Sequence, residues 1–273
     1  MSQTRLIYYC VDCGSELNND LRCESCKRKY DKVFDIPVLF STEDMNSELF
    51  QRYLKNYDEI AHDDLKNSIM PKSRKKKLRD IIVRLKGYPS QRDRKKEVRD
   101  ITLRFIGYIS QKDKVIDVGC GPGEILSGLN CKVKVGCDIA FEYLISLGPQ
   151  ITPILCNVEK LPFKNEFDLA ICTAVLEHVL DPYSTLENIH KVLKKDGKLY
   201  LRVPIEKDLS RYALQKYEFI HLHTFDKEKL IKILEETGFK VKRTKRLFRC
   251  VKDWIFNKST ALLVEAQKRE NGE

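Results

Sequence analysis

A chain of 273 residues that is 42% hydrophobic is longer than one average domain needs and can bury a sizeable core. No apolar run approaches the roughly 20 residues of a membrane-spanning helix. Nor is Met1 to Leu6 followed by the apolar stretch of a secretory leader, so a cytosolic place is expected. In such a reducing compartment the ten cysteines read as metal ligands and core residues rather than a disulfide framework.

Four of those cysteines open the chain as two knuckles, Cys10-x-x-Cys13 and Cys23-x-x-Cys26, nine residues apart. Each pair sits on a tight turn, so two thiolates approach one tetrahedral ion from either side. Lys27, Arg28 and Lys29 follow and offset the thiolate charge. The spacing predicts a zinc ribbon over residues 1–41, closed by a strand and turn between Tyr30 and Phe40. A unit this small needs the metal because it cannot bury enough core alone. Four protein ligands leave no open position, so the zinc is expected to be structural.

Residues 42–110 read as a helical, basic linker or cap. From Lys72 to Arg99 thirteen Lys or Arg side chains face only Asp80, Asp93 and Glu97, a surplus equal to the +10 formal charge of the whole chain. Such a run suits an RNA phosphate backbone, an anionic membrane surface or plain solvated surface. Apolar residues at Val98, Ile101, Phe105, Ile106 and Ile109 then recur at helical spacing.

Residues 111–273 alternate strands with helices. Strands are predicted at 115–118, 132–137, 151–156, 167–172, 197–203, 239–246 and 261–267, and helices at 123–129, 140–147, 183–194 and 226–237. This alternation predicts an α/β fold: a mostly parallel, Rossmann-like sheet with helices on both faces. The first strand runs into Asp117-Val-Gly119-Cys-Gly121-Pro-Gly123, and a glycine loop at the carboxyl end of a parallel strand is where such sheets bind ligands. The dinucleotide fingerprint fails, because its third glycine would be Glu124, and no Gly-Lys-Ser/Thr of a P-loop is present. Asp138, at the tip of the second strand, can accept hydrogen bonds from ribose hydroxyls.

The Asp-x-Gly-x-Gly-x-Gly loop resembles the first motif of class I S-adenosylmethionine-dependent methyltransferases. Cys156 to Phe163, Phe167 to Cys172, Ala174 to Val179 and Leu193 to Leu199 resemble later motifs of the subgroup that includes quinone-biosynthesis enzymes. The likeness covers roughly Lys112 to Gln267, and it implies seven strands with the last reversed. It implies that S-adenosylmethionine is held by Asp117, Gly119, Gly121, Gly123 and Asp138. Asn157 would meet the adenine edge, Val158 and Leu161 would pack near its ring, and Thr173 would face the cleft. Asp117 has a second reading, as the cap of the turn alone.

Methyl transfer from a sulfonium needs chiefly alignment of nucleophile and methyl, plus a general base where the nucleophile keeps its proton. His178, His221 and His223 are the candidate bases; Glu177-His178 recurs in the family whatever the substrate and can equally shape the cleft. A catalytic metal at His221 and His223 lacks an evident third ligand. The expected acceptor is a small molecule or a lipid- or glycan-linked group. Two alternatives are an RNA methyltransferase that docks through the ribbon and the basic run, and a non-enzymatic cofactor-binding adaptor. The stretch from Arg246 to Phe256 mixes basic and aromatic residues; it reads as a membrane-interface segment or as cover for the sheet edge.

Overall fold

The computed structural model describes residues 6–69, 91–205, 209, 216–248 and 260–269. Most of the basic run from Lys72, and the segment from Arg249 to Phe256, lie outside the described residues. The strands are β1 (Lys32–Val33), β2 (Ile36–Leu39), β3 (Lys114–Val118), β4 (Val133–Asp138), β5 (Thr152–Cys156), β6 (Phe167–Thr173), β7 (Leu193–Pro204), β8 (Phe239–Leu247) and β9 (Ala261–Lys268). The helices are α1 (Thr42–Asn46), α2 (Glu48–Ile69), α3 (Gln91–Ile106), α4 (Glu124–Ser127), α5 (Phe141–Ile145), α6 (Pro182–Val192) and α7 (Lys227–Glu236).

The nine strands among the described residues form one sheet in the order β1-β2-β5-β4-β3-β6-β7-β9-β8. From β2 to β7 the neighbours are parallel, and β9 runs antiparallel to both β7 and β8. The chain leaves β3 towards β4 and β5, then returns to its other side through β6 and β7. Such a reversal of strand order opens a crevice at the carboxyl ends of the strands, and the glycine loop leaves β3 there. Successive residues of β3 point to opposite faces. Ile116 and Val118 join a core with residues of α6 and α7, whereas Val115 joins Phe105, Ile125 and Leu126 from α3 and α4.

Seven strands are expected from the sequence, and β3 to β9 supply them. The segment from Tyr30 to Phe40 does more than close the ribbon. It forms the hairpin of β1 and β2, and β2 continues the sheet by pairing in parallel with β5, Val38 opposite Leu155 and Leu39 opposite Cys156. Ribbon residues Leu17, Leu21 and Tyr30 share a core with Phe163 and Cys156. The apolar run from Ile36 to Leu39 covers an edge that would otherwise present unpaired backbone.

Two boundaries move for physical reasons. Helix α3 begins at Gln91, ahead of the apolar period that opens at Val98, because the sequence from Gln91 to Glu97 is wholly polar and carries no apolar period to read. Strand β7 begins at Leu193, inside the expected helix, because Leu193 pairs with Phe167 across a register shift.

Candidate cofactor and acceptor site

Gly119, Gly121 and Gly123 all have positive φ, at 72°, 51° and 73°, the left-handed region that side chains avoid. Space as well as conformation demands glycine at two of them. A Cβ on Gly119 would lie 2.4 Å from Val175 Cγ2, and one on Gly123 would lie 2.5 Å from Leu147 Cδ2. A Cβ on Gly121 would meet nothing within 4 Å; this is the open side of the loop. The Gly119 and Cys120 N–H groups donate to the Cys137 carbonyl at 2.8 and 3.0 Å, which ties the loop to the end of β4.

Asp138 closes that end. Its Oδ2 accepts the Gly121 N–H at 2.8 Å and its Oδ1 the Ala140 N–H at 2.9 Å. Each carboxylate oxygen has two lone pairs, so both keep acceptor capacity towards the cavity. Burial raises the Asp138 pKa above the usual carboxylate range. Asp117 lies under the loop, 1% exposed, and its Oδ1 has no hydrogen-bond partner among the described residues. Burial, then the charge of Asp138, pushes its pKa up to about 8.

The loop and Asp138 border a cavity of about 730 Å³. Gly119, Gly121, Asp138, Asn157, Val158, Thr173 and His178 line it; Asp117, Gly123, Leu161, His221 and His223 do not. Asn157 caps a single 3-10 turn (Val158–Lys160), its Oδ1 accepting the Glu159 N–H at 3.0 Å. Its amide nitrogen donates to Asp44 Oδ1 at 3.2 Å.

Part of the cavity lining is aromatic. Tyr53 and Tyr57, one turn apart on α2, line it with Tyr143, Tyr217, Ile60 and Ile220. Helix α2 is fastened to residues 216–219. Asn56 Oδ1 accepts the Glu218 N–H at 2.9 Å, and the Tyr57 hydroxyl donates to the Phe219 carbonyl at 2.8 Å. Lys216 pairs with Asp63 at 2.7 Å. Lys95 and Arg99 of α3 and Arg202 of β7 add positive charge to the wall.

His178 lines the same cavity, its ring edge-on to Tyr57 at 6.0 Å between centroids. Burial, then the neighbouring His221, pushes its pKa down to about 4, so the ring is neutral at neutral pH. Its Nδ1 is buried with no hydrogen-bond partner among the described residues. Its Nε2 lies 3.8 Å from Glu177 Oε1, and its ring packs edge-on to His221 at 4.7 Å between centroids. Burial pushes the Glu177 pKa up to about 7, with Arg202 pulling the other way. Glu177, His178 and His221 together offer ligand atoms within 4.8 Å of one another; His221 is thus grouped with a carboxylate and a histidine of the β6–α6 turn, and the expected pairing of His221 with His223 is not formed. His223 is directed elsewhere: its Nε2 donates to the Val179 carbonyl at 2.9 Å.

At the N-terminus the four knuckle sulfurs gather within 4.8 Å. Cys10 and Cys26 are 3.6 Å apart and Cys13 and Cys23 3.4 Å, near the edge of roughly 3.8 Å that a tetrahedron with metal–sulfur bonds of about 2.3 Å requires.

Sequence reasoning missed Tyr53, Tyr57, Arg202 and Tyr217. The i, i+4 spacing of the two α2 tyrosines, and the placing of Arg202 between buried Leu201 and Val203, were readable signals. Nothing local tied them to a pocket.

The protein-family model described as "Methyltransferase domain" matches residues 90–244. The ubiquinone biosynthesis O-methyltransferase of Haemophilus ducreyi is 32% identical over 117 residues, covering 37% of this chain and 49% of that protein. The chain spans between 49% and 68% of the length of the first curated relatives that it matches. Two solved structures share the fold. One is a chain of the complex between the Haloferax volcanii Trm112 methyltransferase activator and its methyltransferase, with TM-score 0.55 and 16% identity over 67% of this chain and 95% of that one. The other is Haemonchus contortus phosphoethanolamine N-methyltransferase 2 with S-adenosyl-L-methionine, with TM-score 0.51 and 17% identity over 64% and 53%.

Proposed function

The chain belongs to the methyltransferase-domain family, the class I, S-adenosylmethionine-dependent enzymes, and on that premise we propose that it methylates a small acceptor bound in the aromatic part of the cavity. The observation that carries the acceptor class is the roof over that part: Asn56 and Tyr57 of α2, hydrogen-bonded to residues 218 and 219. A compact pocket behind such a roof suits a small molecule, or the head of a lipid- or glycan-linked one, better than a duplex.

The cleft fits the cofactor by its chemistry. Asp117 and Asp138 are two buried carboxylates at the loop, the first with an unpaired oxygen. A ligand bringing positive charge, an amine and two hydroxyls supplies what they lack. Asp138 would hold the ribose and Gly119 and Gly121 would admit the ligand against the backbone. Gly123 would shape the helix entry, Asp117 would support the methionine end beneath the loop, and Asn157 and Val158 would border the adenine. Thr173 would stand at the cavity wall after β6. When bound, S-adenosylmethionine supplies a methyl group already activated by the sulfonium charge.

His178 is the proposed base. Neutral at neutral pH, it can take the proton of an acceptor hydroxyl, and Glu177, 3.8 Å from Nε2, would stabilise the resulting cation. His221 would hold that ring in place, and His223 would fix the loop through Val179. Tyr57, whose pKa burial raises far above the ordinary phenol value, stays protonated and keeps its hydroxyl on the Phe219 carbonyl, so it offers the acceptor its ring face and the lone pairs of its oxygen.

The four-cysteine cluster is proposed to bind one structural Zn²⁺ through Cys10, Cys13, Cys23 and Cys26. The ribbon (1–41) and the helical region (42–110) would serve the catalytic domain (111–273) as sheet extension and roof. Transfer of labelled methyl from S-adenosylmethionine into a cell extract, then separated into RNA, lipid and small-metabolite fractions, tests the acceptor class. Label among metabolites or lipid is expected. Label in RNA would overturn the small-acceptor reading and make the ribbon and the basic run a docking module.

A further inference from the structure

We propose that Asp12 and Asp44 are positioning residues that couple metal occupancy of the cysteine cluster to cofactor affinity. The inference rests on reading the cleft as the cofactor site and the knuckles as a metal site. Asp12 lies inside the first knuckle, between Cys10 and Cys13. Its carboxylate leaves the ribbon: Oδ1 accepts the Thr42 N–H at 2.7 Å, and Oδ2 accepts the Thr42 hydroxyl at 3.1 Å. Arg28, two residues beyond Cys26, donates to the same Oδ2 at 2.7 Å and to the Phe40 carbonyl at 2.8 Å. Both knuckles therefore grip the start of α1.

Helix α1 passes the constraint on. Ser41 and Asp44 form a buried capping box: Ser41 Oγ accepts the Asp44 N–H at 3.0 Å and Asp44 Oδ2 accepts the Ser41 N–H at 3.1 Å. The second oxygen of Asp44 is free of that box. Oδ1 accepts the Asn157 amide and the Lys160 ammonium, each at 3.2 Å. Asn157 forms part of the cavity wall beside Val158. With its Nδ2 engaged by Asp44 and its Oδ1 by the Glu159 N–H, the amide has one orientation. From the thiolates to the cofactor cleft the path is Asp12, Thr42, the Ser41–Asp44 box and Asn157, with a hydrogen bond or a peptide bond at every step.

The coupling follows from what holds each part. Two knuckles of this size keep their turns because four thiolates share an ion. A helix of five residues does not persist alone. Losing the metal therefore frees Asp12 and Arg28, then α1, then the orientation of Asn157. Because the coupling is between equilibria, it is reciprocal: cofactor must also tighten metal retention.

Three measurements on the full chain test it. Calorimetry with S-adenosylhomocysteine is expected to give about tenfold weaker binding after zinc is removed by a chelator. Asp12→Ala and Asp44→Ala should weaken binding similarly while keeping one zinc per chain and a Tm within a few degrees of wild type; a merely structural cap would lower Tm and leave Kd alone. Zinc transfer from wild type to a chromophoric chelator should slow when S-adenosylhomocysteine is saturating. Unchanged Kd in both variants, or zinc loss indifferent to S-adenosylhomocysteine, overturns the coupling while leaving the cofactor site standing. Wild type that binds no S-adenosylhomocysteine removes the cofactor site, and the coupling with it.

Discussion

Asp117 shows how one residue links burial, pH and ligand. Its folded pKa is raised to about 8 from the ordinary 3.8. The folded chain thus keeps a proton that the unfolded chain has already lost. That preference stabilises the fold fully below about pH 4 and is lost as pH rises through 8, by up to roughly 1.4 kcal/mol per pH unit in between. The ligand-free protein should therefore melt several degrees lower at pH 8 than at pH 6, and Asp117→Asn should reduce that slope to the share of Glu177, which burial raises to about 7; an unaltered slope would locate the titration elsewhere. His178 carries the chemical prediction. His178→Gln should lower kcat by about 10² to 10⁴ with KM for S-adenosylmethionine nearly unchanged, whereas His223→Gln should have a smaller effect; equal losses would remove His178 from its role. Gly119 and Asp138 were legible because their meaning lies in local spacing after a strand. Asp44 was not, because its partner Asn157 is 113 residues away.

At the scale of elements, the glycine loop and β2 make opposite demands. The loop needs absence of side chains. Gly119→Ala places a Cβ 2.4 Å from Val175 Cγ2 at a φ of 72°, so it should abolish S-adenosylhomocysteine binding in calorimetry while the far-ultraviolet circular dichroism stays that of a folded protein. Retained affinity would contradict the close-packed loop. Strand β2 needs side chains. Leu39 is fully buried at the edge of β5, and Leu39→Ala should cost about 2–5 kcal/mol in denaturant unfolding; a cost below about 1 kcal/mol would mean that the ribbon only leans on the sheet. The alternation of strand and helix from residue 111 onward was readable because each element carries its own period. The parallel pairing of β2 with β5 was not, since nothing in Ile36 to Leu39 names a partner more than a hundred residues on.

At the scale of the molecule, a nine-stranded sheet unites the parts that the sequence separates by composition. The four-cysteine ribbon extends one edge, α2 and residues 216–219 roof the cavity, and the switch in strand order at β3 opens the crevice between them. No helix among the described residues is long and apolar enough to cross a membrane. The measurement that bears most directly on the account is titration calorimetry of S-adenosylmethionine with wild type and Asp138→Ala. One bound cofactor per wild-type chain is expected, with a loss of at least about a hundredfold in affinity in the variant and the fold retained. No binding by wild type, or equal affinity in the variant, would contradict it.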